Sequence, residues 1–280
     1  MPADEDGDDR RCEELEGFLR LVPLASTLPI PVIGNFLGVW LVRKGFRLAA
    51  NSTFLASKAW LLAFPFAWFF LAEQRSTADL RRTLFGEEDG GRPRQAEVAW
   101  GAFTGAVIGW FMYSGWVLII RDHVDRARFL EFFESMGVVS VGGFAVYALA
   151  MSTFHAFMEE IVLRWFVFKR LKPLFGGRGV CDSPADRRKI SDRRDFRAAV
   201  WAALVGSGIF VSYHVLSSME YLSLPLLVFA NGGTFFAGLI WSALYHATGN
   251  IWSGVISHFI ADIVLFTIMG SVVAQGGGTT

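Results

Sequence analysis

Carboxylate, imidazole and guanidinium groups are uncommon in apolar stretches, yet this 280-residue chain gathers them in three. The first is Phe157-Met158-Glu159-Glu160-Ile161-Val162-Leu163-Arg164-Trp165-Phe166, the second Phe210-Val211-Ser212-Tyr213-His214, the third His258-Phe259-Ile260-Ala261-Asp262. An ionisable side chain at membrane depth costs at least about 2.5–3.5 kcal/mol, so its presence there marks a functional position. Glu160 and Arg164 stand at i and i+4 and can pair on one helix face. Glu159 points about 100° away around the helix and has no partner of its own there, which leaves it free for proton transfer. His258 and Asp262 share a face by the same spacing, and Phe210 lies one turn before His214. His155 is one turn before Glu159 and is a weaker candidate; His246 closes another span and is set aside.

Each cluster alone has a plainer explanation. A single helix histidine is most often a satisfied hydrogen bonder between helices, and a Glu–Arg pair fits a helix-locking ion pair equally well. Three clusters on three separate apolar segments shift that balance, because a bundle can bring them to one buried, partly hydrated site.

The elements that must position these residues follow from composition. Hydrophobic residues make up 53% and aromatics 15%, with 27 Phe and 10 Trp, more large apolar surface than a soluble chain of this length can bury. Disorder, collagen and nucleic-acid binding are excluded, the last by a net charge of zero. Cys12 and Cys181 sit far apart in polar stretches and imply neither a disulfide framework nor a metal knot. The fold class is all-α, a polytopic transmembrane helical bundle of about seven spans. Charge-free runs place them at 21–42, 98–120, 135–158 and 198–219, with a long run divided at Ala247-Thr248-Gly249-Asn250 into 223–246 and 250–270. A further span at 54–72 contains Pro65 and Lys58, read as a lysine that snorkels from the helix end to the interface. Pro23, Pro29 and Pro31 are expected to bend the first span. Tryptophans such as Trp60, Trp68, Trp100, Trp110, Trp116, Trp165, Trp241 and Trp252 read as an interfacial belt and lipid-facing packing.

The organisation is thus an acidic tail at 1–20, N-terminal spans at 21–134, a core at 135–270 with a basic loop at 169–197, and a tail at 271–280. Lys and Arg concentrate in the 73–97 and 169–197 loops, on the side of the N-terminus. The positive-inside rule then makes that side cytoplasmic, as in a multi-pass protein of a cell (inner) membrane. The basic loop reads as a topology signal in contact with anionic lipid heads. The acidic start has no basic n-region of a secretory signal.

In order, and each on an expected span, the three clusters resemble the E-E-x-x-x-R, F-x-x-x-H and H-x-x-x-N/D motifs of the CPBP family of intramembrane proteases. That family includes type II CAAX prenyl endopeptidases and bacteriocin-processing or immunity-associated proteins. Gly238-Leu239 and Thr248-Gly249-Asn250-Ile251-Trp252 look like the segment leading into the third motif, and the resemblance covers about 135–270. It implies a membrane-embedded peptidase in which Glu159 activates a water with help from His214. His258 and Asp262 would contact the oxyanion, Arg164 would hold Glu160, and Phe210 would pack beside His214 or the substrate. Prenyl-protease members tend to carry Asn at the last position, where an amide N–H donates to an oxyanion. Asp262 donates only when protonated, or orients His258 instead.

The expected partners are membrane lipids and a peptide or lipidated protein substrate. No cofactor is expected. A divalent metal is the nearest rival chemistry, since Glu159, His214, His258 and Asp262 are all ligand types, but the H-E-x-x-H signature is absent. A non-catalytic protein of the same fold, a scaffold or immunity factor, is the alternative from another functional class.

Overall fold

The structure, a computed structural model, describes residues 21–85, 95–127, 130–131, 140–177, 191–219 and 222–276. The acidic tail, both cysteines and the middle of the basic loop lie outside these residues. Among the described residues, seven helices are long and apolar enough to cross a membrane. They are α1 (Leu21–Arg43), α2 (Arg47–Ala72), α4 (Gln95–His123), α5 (Gly142–Leu174), α6 (Asp192–Ser218), α7 (Leu224–Thr248) and α8 (Trp252–Ala274). A short helix α3 (Thr77–Phe85) follows α2. No strand occurs among the described residues. The protein is an all-α multi-pass membrane protein.

Several helices outrun their charge-free cores. α2 starts at Arg47, not near residue 54, α5 continues to Leu174, and α6 begins at Asp192. Ser191 caps α6 by accepting from the backbone N–H of Arg194, so its first turn extends into the basic loop. The last helix runs to Gly276, beyond the boundary expected at 270. In α1 a single turn residue, Leu28, keeps helical dihedrals (φ −65°, ψ −38°) just before Pro29 in the first turn of Pro29–Arg43, so the span runs on through the prolines. Gly249 adopts the left-handed conformation (φ 73°) that ends α7, and the side chain of Asn250 accepts from the Trp252 N–H at 3.0 Å to start α8. That tight reversal keeps α7 and α8 antiparallel.

α8 packs most extensively on α4, and also meets α5 and α7. The reason is a stripe of small residues. A Cβ added at Gly101 would lie 2.7 Å from the Ser253 carbonyl oxygen, one at Gly105 would lie 2.8 Å from that of Ser257, and one at Gly109 would lie 2.8 Å from Val264 Cγ2. Glycines at i, i+4 and i+8 let the two backbones touch, the usual way of packing helices where lipid offers no hydrophobic drive. The approach fixes the depth and rotation of α8, and therefore of His258 and Asp262.

α5 is the centre of the bundle. It is α-helical over Val141–Glu159, π-wound over Glu160–Phe168, and α-helical again to Leu174. All nine π-wound residues are buried, and α2, α3, α6 and α7 surround them. The largest apolar core collects Trp165, Phe166 and Phe168 with Leu61, Phe69, Tyr245 and Ile251. Trp165 is thus a core residue at 1% exposure and no part of an interfacial belt. Other large apolar side chains, including Trp40, Leu71, Trp100, Phe103, Trp110 and Leu118, face outward, as an exterior solvated by lipid requires.

Candidate active site

The helices bring Glu159, Glu160 and Arg164 of α5, Phe210 of α6, and His258 and Asp262 of α8 into one cluster. Glu159 and Glu160 end the α-helical part of α5 and begin its π-wound part. Hydrogen bonds there run to the residue five back, which changes the phase of side chains around the axis; such windings are frequent at functional sites. Glu160 and Arg164 still pair, with Arg164 Nε 3.5 Å from Glu160 Oε2 and both side chains fully buried. The guanidinium lies against two ring faces, 5.8 Å from the centre of Phe210 and 5.7 Å from that of Trp241.

His258 links the carboxylates. Its Nδ1 is 3.2 Å from Glu160 Oε1, its Nε2 is 3.6 Å from Glu159 Oε2, and the same Nε2 is 3.8 Å from Asp262 Oδ1. With Nδ1–H donating to Glu160, only the imidazolium form carries a second proton on Nε2. The imidazole is 3% exposed and stacks on Trp241 at 3.8 Å between centroids and 12° between planes. The Trp241 indole N–H donates to Ser257 Oγ at 3.0 Å, and the Thr104 hydroxyl of α4 donates to the same oxygen at 3.0 Å. α4, α7 and α8 thereby hold one ring in place. Gly254, one turn before His258, is needed at this crossing because a Cβ there would collide with Glu160 Oε2.

His214 is anchored differently. Its Nδ1 lies 2.8 Å from the carbonyl oxygen of Phe210 on its own helix, so a donating Nδ1–H leaves Nε2 free to accept. Its ring packs against Phe210 at 4.4 Å and Tyr213 at 4.5 Å. It interacts electrostatically with Glu159, as does His155 from one turn earlier on α5. Phe210 is in contact with both catalytic candidates, its ring also lying 6.2 Å from that of His258. His246 is elsewhere, packed near Phe168 and Phe196.

Two participants were assigned other roles in the sequence. Trp241 is 3% exposed and lies on His258, so it is neither belt nor lipid-facing. Lys58 does not snorkel. Because α2 begins at Arg47, Lys58 lies about 16 Å along the helix, and its Nζ is 3.9 Å from Glu159 Oε1. A lysine amid an apolar run was the visible signal. Its position within the span decided the reading, and that position depended on the helix start.

Among the described residues, no group of three or more His, Cys, Asp or Glu side chains is arranged to hold a metal ion. The cluster can move protons: one carboxylate is pinned by an arginine, a second faces two imidazoles, and buried polar atoms remain open to a ligand. Those atoms are Asp262 Oδ2, His155 Nε2 and the terminal nitrogens of Arg164, which lack hydrogen-bond partners among the described residues.

Residues 141–264 match the family model described as type II CAAX prenyl endopeptidase Rce1-like, so the resemblance read from the three motifs holds over the segment that carries them. No curated protein and no solved structure matches the chain.

Proposed function

We infer that this chain, whose residues 141–264 match the type II CAAX prenyl endopeptidase Rce1-like family model, is an intramembrane endopeptidase that cleaves with a glutamate-activated water. The observation that carries the reading is the division of labour between adjacent glutamates. Glu160 is held by Arg164 and by His258 Nδ1, whereas Glu159 lies 3.6 Å from His258 Nε2 and interacts electrostatically with His214. In the proposed reaction Glu159 takes a proton from water as the oxygen attacks the scissile carbonyl, and returns it to the leaving amine. His214 Nε2 accepts a hydrogen bond from that water and orients it. The His258 imidazolium, fixed by Glu160 at one nitrogen, donates from the other to the oxyanion. Asp262 keeps that second nitrogen protonated and oriented. Phe210 packs against both imidazoles and, on this reading, against the substrate.

The proposed substrate is a prenylated CAAX-type tail or another peptide or membrane protein matured near the bilayer surface. The site opens toward the cytoplasmic side, with the N-terminus cytoplasmic and the protein in a bacterial inner membrane or its organellar equivalent. A second reading, a non-catalytic scaffold or immunity factor of this fold, is favoured by Asp262, since a carboxylate stands where an amide donor is usual.

The test is cleavage by detergent-solubilised protein of a peptide library that includes prenylated C-terminal tails. Wild type, Glu159→Ala and His214→Ala are compared, each with and without a chelator. Cleavage abolished in both variants and indifferent to the chelator is the expected result. Chelator-sensitive cleavage would move the reading to metal chemistry, and a cellular role that survives Glu159→Ala would favour the scaffold.

A further inference from the structure

We propose that Lys58, on a helix outside the matched segment, is the counter-ion that holds Glu159 as an oriented carboxylate, making it a positioning residue for the general base. The inference rests on the peptidase reading for its kinetic consequence and on geometry for the pairing itself. Lys58 Nζ lies 3.9 Å from Glu159 Oε1, and the lysine side chain is only 12% exposed. Two aromatic rings flank the ammonium, Phe54 at 5.4 Å on its own helix and Tyr213 at 5.9 Å on α6. Such rings stabilise a cation while excluding the water that would compete for it. Tyr213 itself sits beside Glu159 and against His214, so the ammonium belongs to the wall of the reaction site.

Charge accounting points the same way. The cluster holds three carboxylates, Glu159 and Glu160 on α5 and Asp262 on α8, all within 4 Å of His258. Arg164 balances Glu160, and a protonated His258 balances one more. His155 and His214 also interact electrostatically with Glu159, but His214 acts as a neutral acceptor in the proposed reaction and His155 takes no part in it. With Asp262 ionised alongside the two glutamates, one negative charge remains, and Lys58 supplies the matching positive charge. A carboxylate at 262 in place of an amide adds an acid to the site, and α2 adds a base. In a medium poorer than water at screening, an unlike pair at this distance attracts far more strongly than at a surface. Contact with one carboxylate oxygen, Oε1, leaves Oε2 directed at His258 and the attacking water.

Two measurements test it. In the first, Lys58→Met is expected to lower kcat for cleavage by about tenfold or more with KM nearly unchanged, and Lys58→Arg to restore most of the loss, as an interaction made for the chemical step requires. In the second, melting temperatures are compared for Lys58→Met, Glu159→Gln and the double variant, a cycle that needs no substrate. Each single change takes the partner charge away from one member of the buried pair, so the double variant should lose clearly less than the sum of the two. Wild-type kcat in Lys58→Met, or additive melting losses, would overturn the pairing. If wild type cleaved no peptide, the peptidase reading would fail on its own, and the melting cycle would still decide whether Lys58 and Glu159 are coupled.

Discussion

The stack of Trp241 on His258 should be worth a measurable part of catalysis, and Trp241→Leu removes it. The rings lie 3.8 Å apart and 12° from parallel, with the imidazole 3% exposed, so contact between them is nearly complete. An aromatic pair of this kind contributes about 0.5–1.5 kcal/mol beyond the area it buries. Should His258 act as an imidazolium, the cation adds about 2 kcal/mol when desolvated. The part felt in the transition state is taken as about 1–2 kcal/mol, and at 1.36 kcal/mol per factor of ten that is roughly a five- to thirtyfold loss in kcat/KM. Trp241→Phe keeps a ring face but drops the indole N–H to Ser257, so its loss should be smaller. The assay is peptide cleavage, with NMR of histidine-labelled protein as a check independent of turnover. A ring directly above His258 shields its ring protons, and Trp241→Leu should move that resonance downfield. Wild-type cleavage together with an unmoved resonance, in a variant that melts normally, would refute the positioning argument.

Other consequences follow from the same geometry. Arg164→Met leaves Glu160 buried without its cation and should destabilise by about 3–5 kcal/mol, whereas Arg164→Met with Glu160→Met should recover much of the loss; thermal melts of the three proteins decide. Gly105→Leu drives a side chain into the Ser257 carbonyl oxygen, 2.8 Å from the position of its first carbon, and should cost about 1–3 kcal/mol while displacing His258. A lowered melting temperature with reduced cleavage is expected, and a wild-type melt would contradict the close approach of α4 and α8. Asp262→Asn removes the carboxylate that keeps His258 Nε2 protonated and oriented and should lower cleavage by about tenfold or more. Cleavage retained or raised would instead assign position 262 the role of an oxyanion donor.

What could be read before the fold was known depended on how local the cause was. Seven spans were legible because apolar length is set by the bilayer, and the Glu160–Arg164 pair because both residues lie on one helix. Helix ends were less legible: the Ser191 cap carries α6 past the point where charges begin, and α2 starts at Arg47 with no side-chain cap, so both outrun their charge-free cores. Drawing α2 too short misplaced Lys58 at an interface when it belongs in the wall of the site. Trp241 escaped for a different reason. Spacing along α7 says which residues share a face, but not that α8 comes close enough to set His258 against that face. The information resides in Gly101, Gly105 and Gly109 of α4, whose missing side chains are a weak signal in a composition rich in glycine.

The π winding of α5 makes the chain's length between its two charged anchors as consequential as its chemistry. At one end Glu160 is tied to Arg164 and His258; at the other Arg170 pairs with Glu73 and lies over the ring of Phe166 at 3.8 Å. Removing a single residue such as Val162, without altering any polar group, would invite the segment to rewind as an α-helix. The altered winding changes both the rotation and the rise of everything beyond it relative to the glutamates, since an α-helix advances about 100° and about 1.5 Å per residue and the wider π winding advances less. Both anchors could not be satisfied at once. The nine residues from Glu160 to Phe168 should therefore tolerate exchanges among apolar side chains far better than any deletion or insertion, a sensitivity to indels that a substitution scan alone would never reveal.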